Sequence, residues 1–152
     1  MERHEEFMAE AVAIAQANIA EGGTPYGAVI VRDGTVVARA ANTVHRSQDI
    51  TEHAEMMAIH AASRALGRRD LSDCVMYASG RPCPMCHAAM RLAGFKRGYY
   101  AFSAEEAEAH GAGNAKLYAE LCRPLDEQPM HLSQLRPDGP SPYPEWEARK
   151  AG

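Results

Sequence analysis

Two cysteines that lie three residues apart, Cys83 and Cys86, follow a proline, and His87 comes directly after the second cysteine. Such a pair suits covalent haem attachment through C-x-x-C-H, a thioredoxin-like redox site, or metal binding by two thiolates. Haem attachment normally follows export, and the acidic N-terminus does not favour export. The predicted strand before the pair and helix after it fit a redox motif, but neither alternative gives a role to the upstream stretch "TEHAE".

That stretch contributes His53 and Glu55, and both motifs open a predicted helix. If the two helix N-termini converge, His53 joins Cys83 and Cys86, and the positive ends of the helices favour the thiolates. One imidazole and two thiolates suit zinc, and three protein ligands leave the fourth tetrahedral position open, as in catalytic sites. A closed structural zinc with a further histidine as its fourth ligand is the alternative.

A zinc site of this kind predicts hydrolytic chemistry. The metal lowers the pKa of a bound water from about 15.7 toward roughly 7. Glu55 is not needed as a ligand, so it is free to take the proton of that water and pass it to a ring nitrogen and a leaving amine. The combined pattern H-x-E…P-C-x-x-C is typical of zinc-dependent base deaminases.

The length and composition of the chain limit what surrounds this site. With 152 residues, of which 46% are hydrophobic and 24% charged, we expect one compact domain over residues 1–152, with residues 137–152 as an arm or lid. No apolar stretch approaches the roughly 20 residues that span a bilayer. Without a secretory signal, we expect a cytoplasmic protein whose four cysteines do not form a disulfide scaffold. The net charge of −4 favours a small substrate over nucleic acid.

Strand and helix patterns alternate along the chain. A helix is predicted from Glu2 to Ala20, then a hairpin that turns at Asp33-Gly34, and a second helix that begins near Thr51 or Glu52 after a polar loop over residues 43–51. The stretches "DCVMYAS" and "KRGYYAF" are predicted strands on either side of the cysteine-bearing helix. Together with a weak last strand over residues 130–133, they predict a three-layer α/β domain with a mixed sheet of roughly five strands.

From about Pro25 to Tyr118, the sequence resembles the cytidine and deoxycytidylate deaminase superfamily, on the stretches "PYGAVIV", "HAE" and "PCPMC". Within it, the chain is most similar to the bacterial guanine deaminases and next to the tRNA adenosine deaminases. The resemblance implies an α/β/α fold, one Zn²⁺ per chain and a small amino-heterocycle as substrate. It also implies a homodimer, possibly with a swapped C-terminal arm.

Carried over by position, the resemblance places several residues at the substrate. Asn42 matches the base-binding asparagine, Tyr26 a pocket wall, and "SPYPEW" a tail that closes an active site in guanine deaminases. The substrate-binding residues implied in this way are Tyr26, Asn42, Ala54, Arg81, Asn114, Tyr143 and Trp146.

Two positions depart from the related groups. Arg81 stands where a glutamate usually precedes the P-C, and Gly113 and Asn114 stand where guanine deaminases carry an acidic residue. Arg81 either faces the pocket and selects a ring that bears oxygen acceptors, or lies on the surface paired with an acid. The ring therefore stays open among guanine-like purines, pterins, pyrimidines and triazines. Deamination of the tRNA wobble adenosine, or a zinc-stabilised binding protein without turnover, are the alternatives.

Overall fold

The structure is a computed structural model, and it describes residues 3–152. The chain divides into two compact units, Met1–Ala119 and Glu120–Gly152. The first unit contains a sheet of four strands, β1 (Gly27–Arg32), β2 (Thr35–Ala41), β3 (Cys74–Gly80) and β4 (Arg97–Phe102). The helices, in chain order, are α1 (His4–Ala20), α2 (Val44–Ser47), α3 (Ala54–Leu66), α4 (Pro84–Leu92), α5 (Ala104–Ala109), α6 (Ala115–Leu121) and α7 (Tyr143–Lys150), with a 3₁₀ turn over Leu125–Glu127.

The sheet is mixed, with the strand order β2-β1-β3-β4. Strand β1 is antiparallel to both of its neighbours, whereas β3 and β4 are parallel and are connected through α4. The hairpin between β1 and β2 turns at Asp33 and Gly34, whose φ angles of 49° and 73° are those that a tight hairpin turn requires. The predicted hairpin is confirmed.

Both faces of the sheet are covered, as the three-layer prediction requires. On one face, Val29 and Val31 of β1 pack with Phe7 and Ala11 of α1. The alternate residues of β1 and β3 face the other side, where the alanines of α3 allow the helix to lie close to the strands. The core on that side includes Ala28, Ile30, Met76, Ala54, Ala58 and Ala62. The predicted α/β class is confirmed.

The close approach of α1 to the sheet depends on Gly27. A Cβ atom built on this residue would lie 2.4 Å from the backbone oxygen of Ala11 and 2.8 Å from the backbone nitrogen of Ala15. Neither backbone atom can move aside without shifting the helix, so any side chain at this position would push α1 away from β1. The helix thereby fixes the start of the strand that follows the site residue Tyr26.

Three predicted details differ from the structure. Helix α3 begins at Ala54 rather than near Thr51, because Asp49 accepts hydrogen bonds from both the backbone and the hydroxyl of Thr51 and so uses this residue in a turn. Part of the predicted loop 43–51 is the short helix α2. Residues 130–133 form no strand and are exposed, so the described residues give a sheet of four strands rather than five.

Glu2, where the first helix was predicted to begin, lies outside the described residues, and α1 is observed from His4. Helix α5 begins with a capping box, because the Ser103 side chain accepts from the Glu106 backbone while the Glu106 side chain accepts from the Ser103 backbone. Within residues 3–152, no helix combines the length and the apolar character needed to cross a bilayer.

Candidate metal centre

Two helix N-termini bring the predicted ligands together. His53 is the extended residue just before α3, and Cys83 is the extended residue just before α4. Pro84 occupies the first turn of α4, where its missing N–H costs no hydrogen bond, and Cys86 follows one turn into that helix. The backbone N–H groups of both helix starts give the local field a positive sign, which favours ionised thiols.

The three donor groups have the spacing that a tetrahedral zinc ion needs. The Nδ1 atom of His53 lies 3.5 Å from the Sγ atom of Cys83 and 3.6 Å from the Sγ atom of Cys86. All three donor atoms lie within 4.8 Å of one another. Tetrahedral bonds of ordinary length place a nitrogen and a sulfur ligand about 3.6 Å apart. The trio therefore fits zinc in both donor type and spacing, and it forms a possible zinc site.

The protonation states of the trio point in the same direction. Hydrogen bonds from Cys86, followed by one from His53, lower the pKa of the Cys83 thiol to about 4 despite its partial burial. The same contact with Cys83, together with burial, raises the pKa of the Cys86 thiol, since two adjacent sulfurs disfavour a second negative charge. The hydrogen bond to Cys83 raises the pKa of His53. A cation between the two sulfurs would offset this repulsion.

Glu55, on the first turn of α3, lies beside the trio. Only 4% of its surface is exposed, and no positively charged arginine or lysine forms an ion pair with it among the described residues. Burial raises the pKa of this carboxyl above its ordinary value, while a hydrogen bond from Cys86 acts in the opposite direction. A buried carboxyl without a guanidinium or ammonium partner is more typical of a proton-transfer group than of a structural ion pair.

His53, Cys83 and Glu55 line a cavity of about 390 Å³, and Cys86 lies fully buried beside the other two donors. This volume suits a small heterocycle rather than a large ligand. The predicted residues Tyr26, Asn42, Arg81 and Asn114 all contribute to its lining. The complete lining is Thr24, Tyr26, Asn42, Val44, His53, Glu55, Arg81, Cys83, Gly111, Ala112, Gly113 and Asn114.

Three predicted substrate residues are not found in this lining. Ala54 has no exposed surface and packs in the core beneath α3. Tyr143 and Trp146 belong to α7 in the second unit, where they are 75% and 58% exposed, and the Lys150 ammonium lies 3.2 Å from the centroid of the Trp146 ring. Their roles at the substrate stay predictions.

The structure also adds residues that the sequence did not single out. The Tyr118 hydroxyl donates to the carbonyl oxygen of Pro82, the residue before Cys83. Its ring lies under the Arg81 guanidinium, 4.8 Å from the centroid. Among the described residues, no carboxylate forms an ion pair with Arg81. The only hint in the sequence was that Tyr118 follows Asn114 at helical spacing.

Comparison with known proteins places this site in a family. Residues 1–102 match the family described as the cytidine and deoxycytidylate deaminase zinc-binding region. The match covers about two thirds of the chain and includes both helix starts that carry the metal trio. The zinc-binding description of the family agrees with the donor set found here.

Individual relatives extend the similarity to the remaining residues. The chain is 38% identical over 145 residues to guanine deaminase from Bacillus subtilis, which covers 94% of this chain and 93% of that protein. The crystal structure of guanine deaminase from Bacillus subtilis matches with a TM-score of 0.87 and 35% identity, and it covers 99% of this chain and 95% of that one. A tRNA-specific adenosine deaminase from Agrobacterium fabrum is 43% identical over 76 residues, half of each chain.

Proposed function

The chain belongs to the cytidine and deoxycytidylate deaminase family, and we propose that it is a zinc-dependent hydrolase that removes the amino group of a free guanine-like heterocycle. One observation carries this proposal. His53 and Cys83, two members of a zinc-type donor trio, line the same cavity of about 390 Å³ as the buried carboxyl of Glu55. The similarity to a guanine deaminase over nearly the whole chain supports guanine as the first substrate to test.

In this proposal, His53, Cys83 and Cys86 hold the metal. Zinc, when bound, supplies the Lewis acid that makes water a nucleophile near neutral pH. Glu55 accepts a proton from the attacking water, whose oxygen bonds to the ring carbon that carries the amino group. Glu55 delivers that proton to the ring nitrogen, then takes the second proton from the added hydroxyl and passes it to the amino nitrogen. The carbon–oxygen double bond forms as the carbon–nitrogen bond breaks, and ammonia leaves. Because Glu55 is buried, bulk water does not compete for this proton.

Asn42 is proposed to orient the ring. Only 4% of its surface is exposed, and its Oδ1 atom accepts a hydrogen bond from the Val44 backbone at 3.1 Å. This bond fixes the orientation of the amide, so its NH₂ group remains to donate to an acceptor on the substrate. A purine or a related ring offers such acceptors along its nitrogen-bearing edge.

Arg81 is proposed to bind a carbonyl oxygen of the substrate. Arg81 lines the cavity, and its guanidinium lies on the Tyr118 ring and has no carboxylate partner among the described residues. A guanidinium held in this way offers fixed donors to an oxygen acceptor.

We expect Arg81→Glu to lower kcat/KM for oxygen-bearing rings by at least about tenfold relative to rings without oxygen, because a carboxylate repels carbonyl oxygens. The measurement is the ratio of kcat/KM between one ring of each kind. Arg97→Glu is the matched control. It makes the same change of charge, and Arg97 lies on β4 and does not line this cavity. An unchanged ratio in Arg81→Glu would show that Arg81 does not select the ring.

The proposed function is tested by ammonia release from zinc-loaded protein with a panel of substrates. The panel includes guanine, adenine, cytosine, an amino-substituted pterin, an aminotriazine and a tRNA anticodon stem-loop with adenosine at the wobble position. Turnover of a free ring supports the proposal and identifies the ring. Turnover of the stem-loop alone would establish the tRNA alternative, and no turnover by protein that holds zinc would favour a binding protein.

The chain is also proposed to form a homodimer in which the second unit, Glu120–Gly152, packs on a second copy. No residue of this unit is buried, and it exposes a set of large apolar side chains, namely Leu121, Leu125, Met130, Leu132, Leu135, Tyr143 and Trp146. Exposed apolar groups in such number are typical of a segment that packs on a partner.

We expect the mass in solution, measured by light scattering after size exclusion, to be twice the chain mass of 16.5 kDa. Leu135→Glu should shift the protein toward the monomer, because a charge at a buried apolar contact disfavours association. Asp138→Glu is the control, because it substitutes a residue of the same unit without changing the charge. A monomeric wild-type protein at the concentrations used for activity would rule out the dimer.

A further inference from the structure

One side of the cavity is a short segment without large side chains. Residues 111–114, with the sequence Gly-Ala-Gly-Asn, belong to the connection between α5 and α6, and all four line the cavity. A segment of this composition has wide backbone freedom when nothing holds it, because two of its four residues are glycines. Its place beside the substrate must therefore come from contacts with other parts of the fold.

The first of these contacts comes from Tyr26. Its hydroxyl donates to the carbonyl oxygen of Ala112 at 2.9 Å, across 86 positions of the sequence. The Tyr26 ring is itself packed against β3, because a Cβ atom on Gly80 would lie only 3.0 Å from its Cε1 atom. Tyr26 directly precedes β1, so this hydrogen bond ties the segment to the rigid sheet.

The second contact comes from Tyr118, which follows the segment in the chain. Tyr118 lies on α6, and its hydroxyl donates to the carbonyl oxygen of Pro82, next to the predicted ligand Cys83. The Arg81 guanidinium covers the same ring, and the Arg81 backbone N–H donates to the Phe102 carbonyl of β4. The helix that follows the segment is thus tied to the loop that carries the metal-binding cysteines.

The segment is also closely packed against the helix before it. A Cβ atom on Gly113 would lie 1.4 Å from a carboxylate oxygen of Glu108 and 2.8 Å from the Glu108 Cα atom. The Glu108 side chain therefore occupies the space that any side chain at position 113 would need. The segment is confined by α5 at the same time as it is tied through Tyr26 and Tyr118.

We propose that Tyr26 and Tyr118 are positioning residues that clamp residues 111–114 as a fixed wall of the cavity, and that this wall determines which rings bind. The proposal rests on the proposed function, since it assigns the wall to the substrate of that reaction. The Tyr26 hydroxyl connects the wall to the residue before β1, and the Tyr118 hydroxyl connects the helix after the wall to the residue before Cys83. Loss of either hydrogen bond leaves the chemistry in place and loosens the surface on which the ring lies.

The test uses Tyr26→Phe and Tyr118→Phe, each of which removes one hydroxyl and keeps the ring. We expect KM for the substrate to rise about five- to tenfold, with kcat changed less than about threefold, because the lost contact orients bound substrate and takes no part in proton transfer. The double variant should raise KM by less than the product of the two single effects, because both contacts hold the same wall. The differences in kcat/KM among the rings of the panel should also become smaller.

Hydrogen exchange on the substrate-free protein provides a readout that does not depend on any activity. The amides of residues 111–118 should exchange faster in both variants, whereas those of β1 and β3 keep their protection. Tyr99→Phe is the matched control, because Tyr99 stacks on Tyr77 and does not line the cavity.

Unchanged exchange at residues 111–118 in both variants would overturn the clamp, whatever the enzyme acts on. Faster exchange without any change in KM or in ring preference would overturn its role in binding. If no ring is turned over but hydrogen exchange at residues 111–118 is faster in the variants, the proposed function is wrong. The structural role of the two hydroxyls would still hold in that case.

Discussion

The Glu55→Gln variant is expected to lose about 1,000-fold in kcat, because glutamine has nearly the shape of glutamate but cannot accept a proton. Glu55 lines the cavity with His53 and Cys83 and is almost fully buried, so solvent has little access to replace it as a base. The substitution removes a buried charge without leaving a gap, so the fold should not be destabilised. The measurement is ammonia release together with zinc content and the thermal unfolding midpoint.

A nearby substitution separates the proton role from a general charge effect. Glu52→Gln removes the same charge three positions away, where the carboxylate accepts a hydrogen bond from Thr43 and does not line the cavity. This control should keep kcat within about threefold of the wild type. If Glu55→Gln holds zinc and still turns over at the wild-type rate, Glu55 is not the proton carrier.

The second large effect is expected from Cys86→Ala, which removes one of the three proposed zinc ligands. The variant should contain little zinc and lose activity by more than about 1,000-fold, because the two remaining ligands hold the ion weakly. Cys86 has no exposed surface, so the cavity left behind could also lower stability. His53→Ala, which is only partly buried, is therefore made in parallel and should show the same loss of zinc.

Zinc is measured by elemental analysis and activity by ammonia release. Cys122→Ala is the control, since Cys122 is exposed and lies outside the trio. That variant should match the wild type in zinc and in rate. A Cys86→Ala or His53→Ala protein that keeps full zinc and full activity would show that the ion is held elsewhere.

The metal trio could be predicted from the sequence because its chemistry is local. Cys83 and Cys86 are one helical turn apart, and His53 and Glu55 lie in a second short stretch. Each stretch opens a helix, so only the convergence of two helix ends had to be assumed. The structure brings the three donor atoms within 4.8 Å of one another, as that convergence requires.

The sheet could be predicted where its signals were also local. The Asp33-Gly34 dipeptide predicted the hairpin, and the apolar runs on either side of the cysteine-bearing helix predicted β3 and β4. The predicted strand over residues 130–133 was wrong, because an apolar pattern indicates a strand only when a neighbour is present to pair with it. Within the described residues, no strand pairs with those four.

The contacts that hold the wall of the cavity could not be predicted, because they join residues that are distant in the sequence. Tyr26 reaches Ala112 and Tyr118 reaches Pro82, and neither pair has a sequence spacing that would suggest contact. Arg81 stood out by its charge, but its stacking on Tyr118 depends on how α6 packs. The start of α3 was misplaced for a related reason, since Thr51 uses its hydrogen bonds in a turn with Asp49.

We propose that this chain is a deaminase whose activity depends on zinc held by His53, Cys83 and Cys86. The most direct measurement strips the protein with a chelator, adds zinc back in steps and follows ammonia release from guanine or from the most active ring of the panel. Activity should be absent from stripped protein, rise in proportion to added zinc and level off at about one zinc per chain. Full activity in the stripped protein, or none in fully loaded protein with any substrate, would contradict the claim.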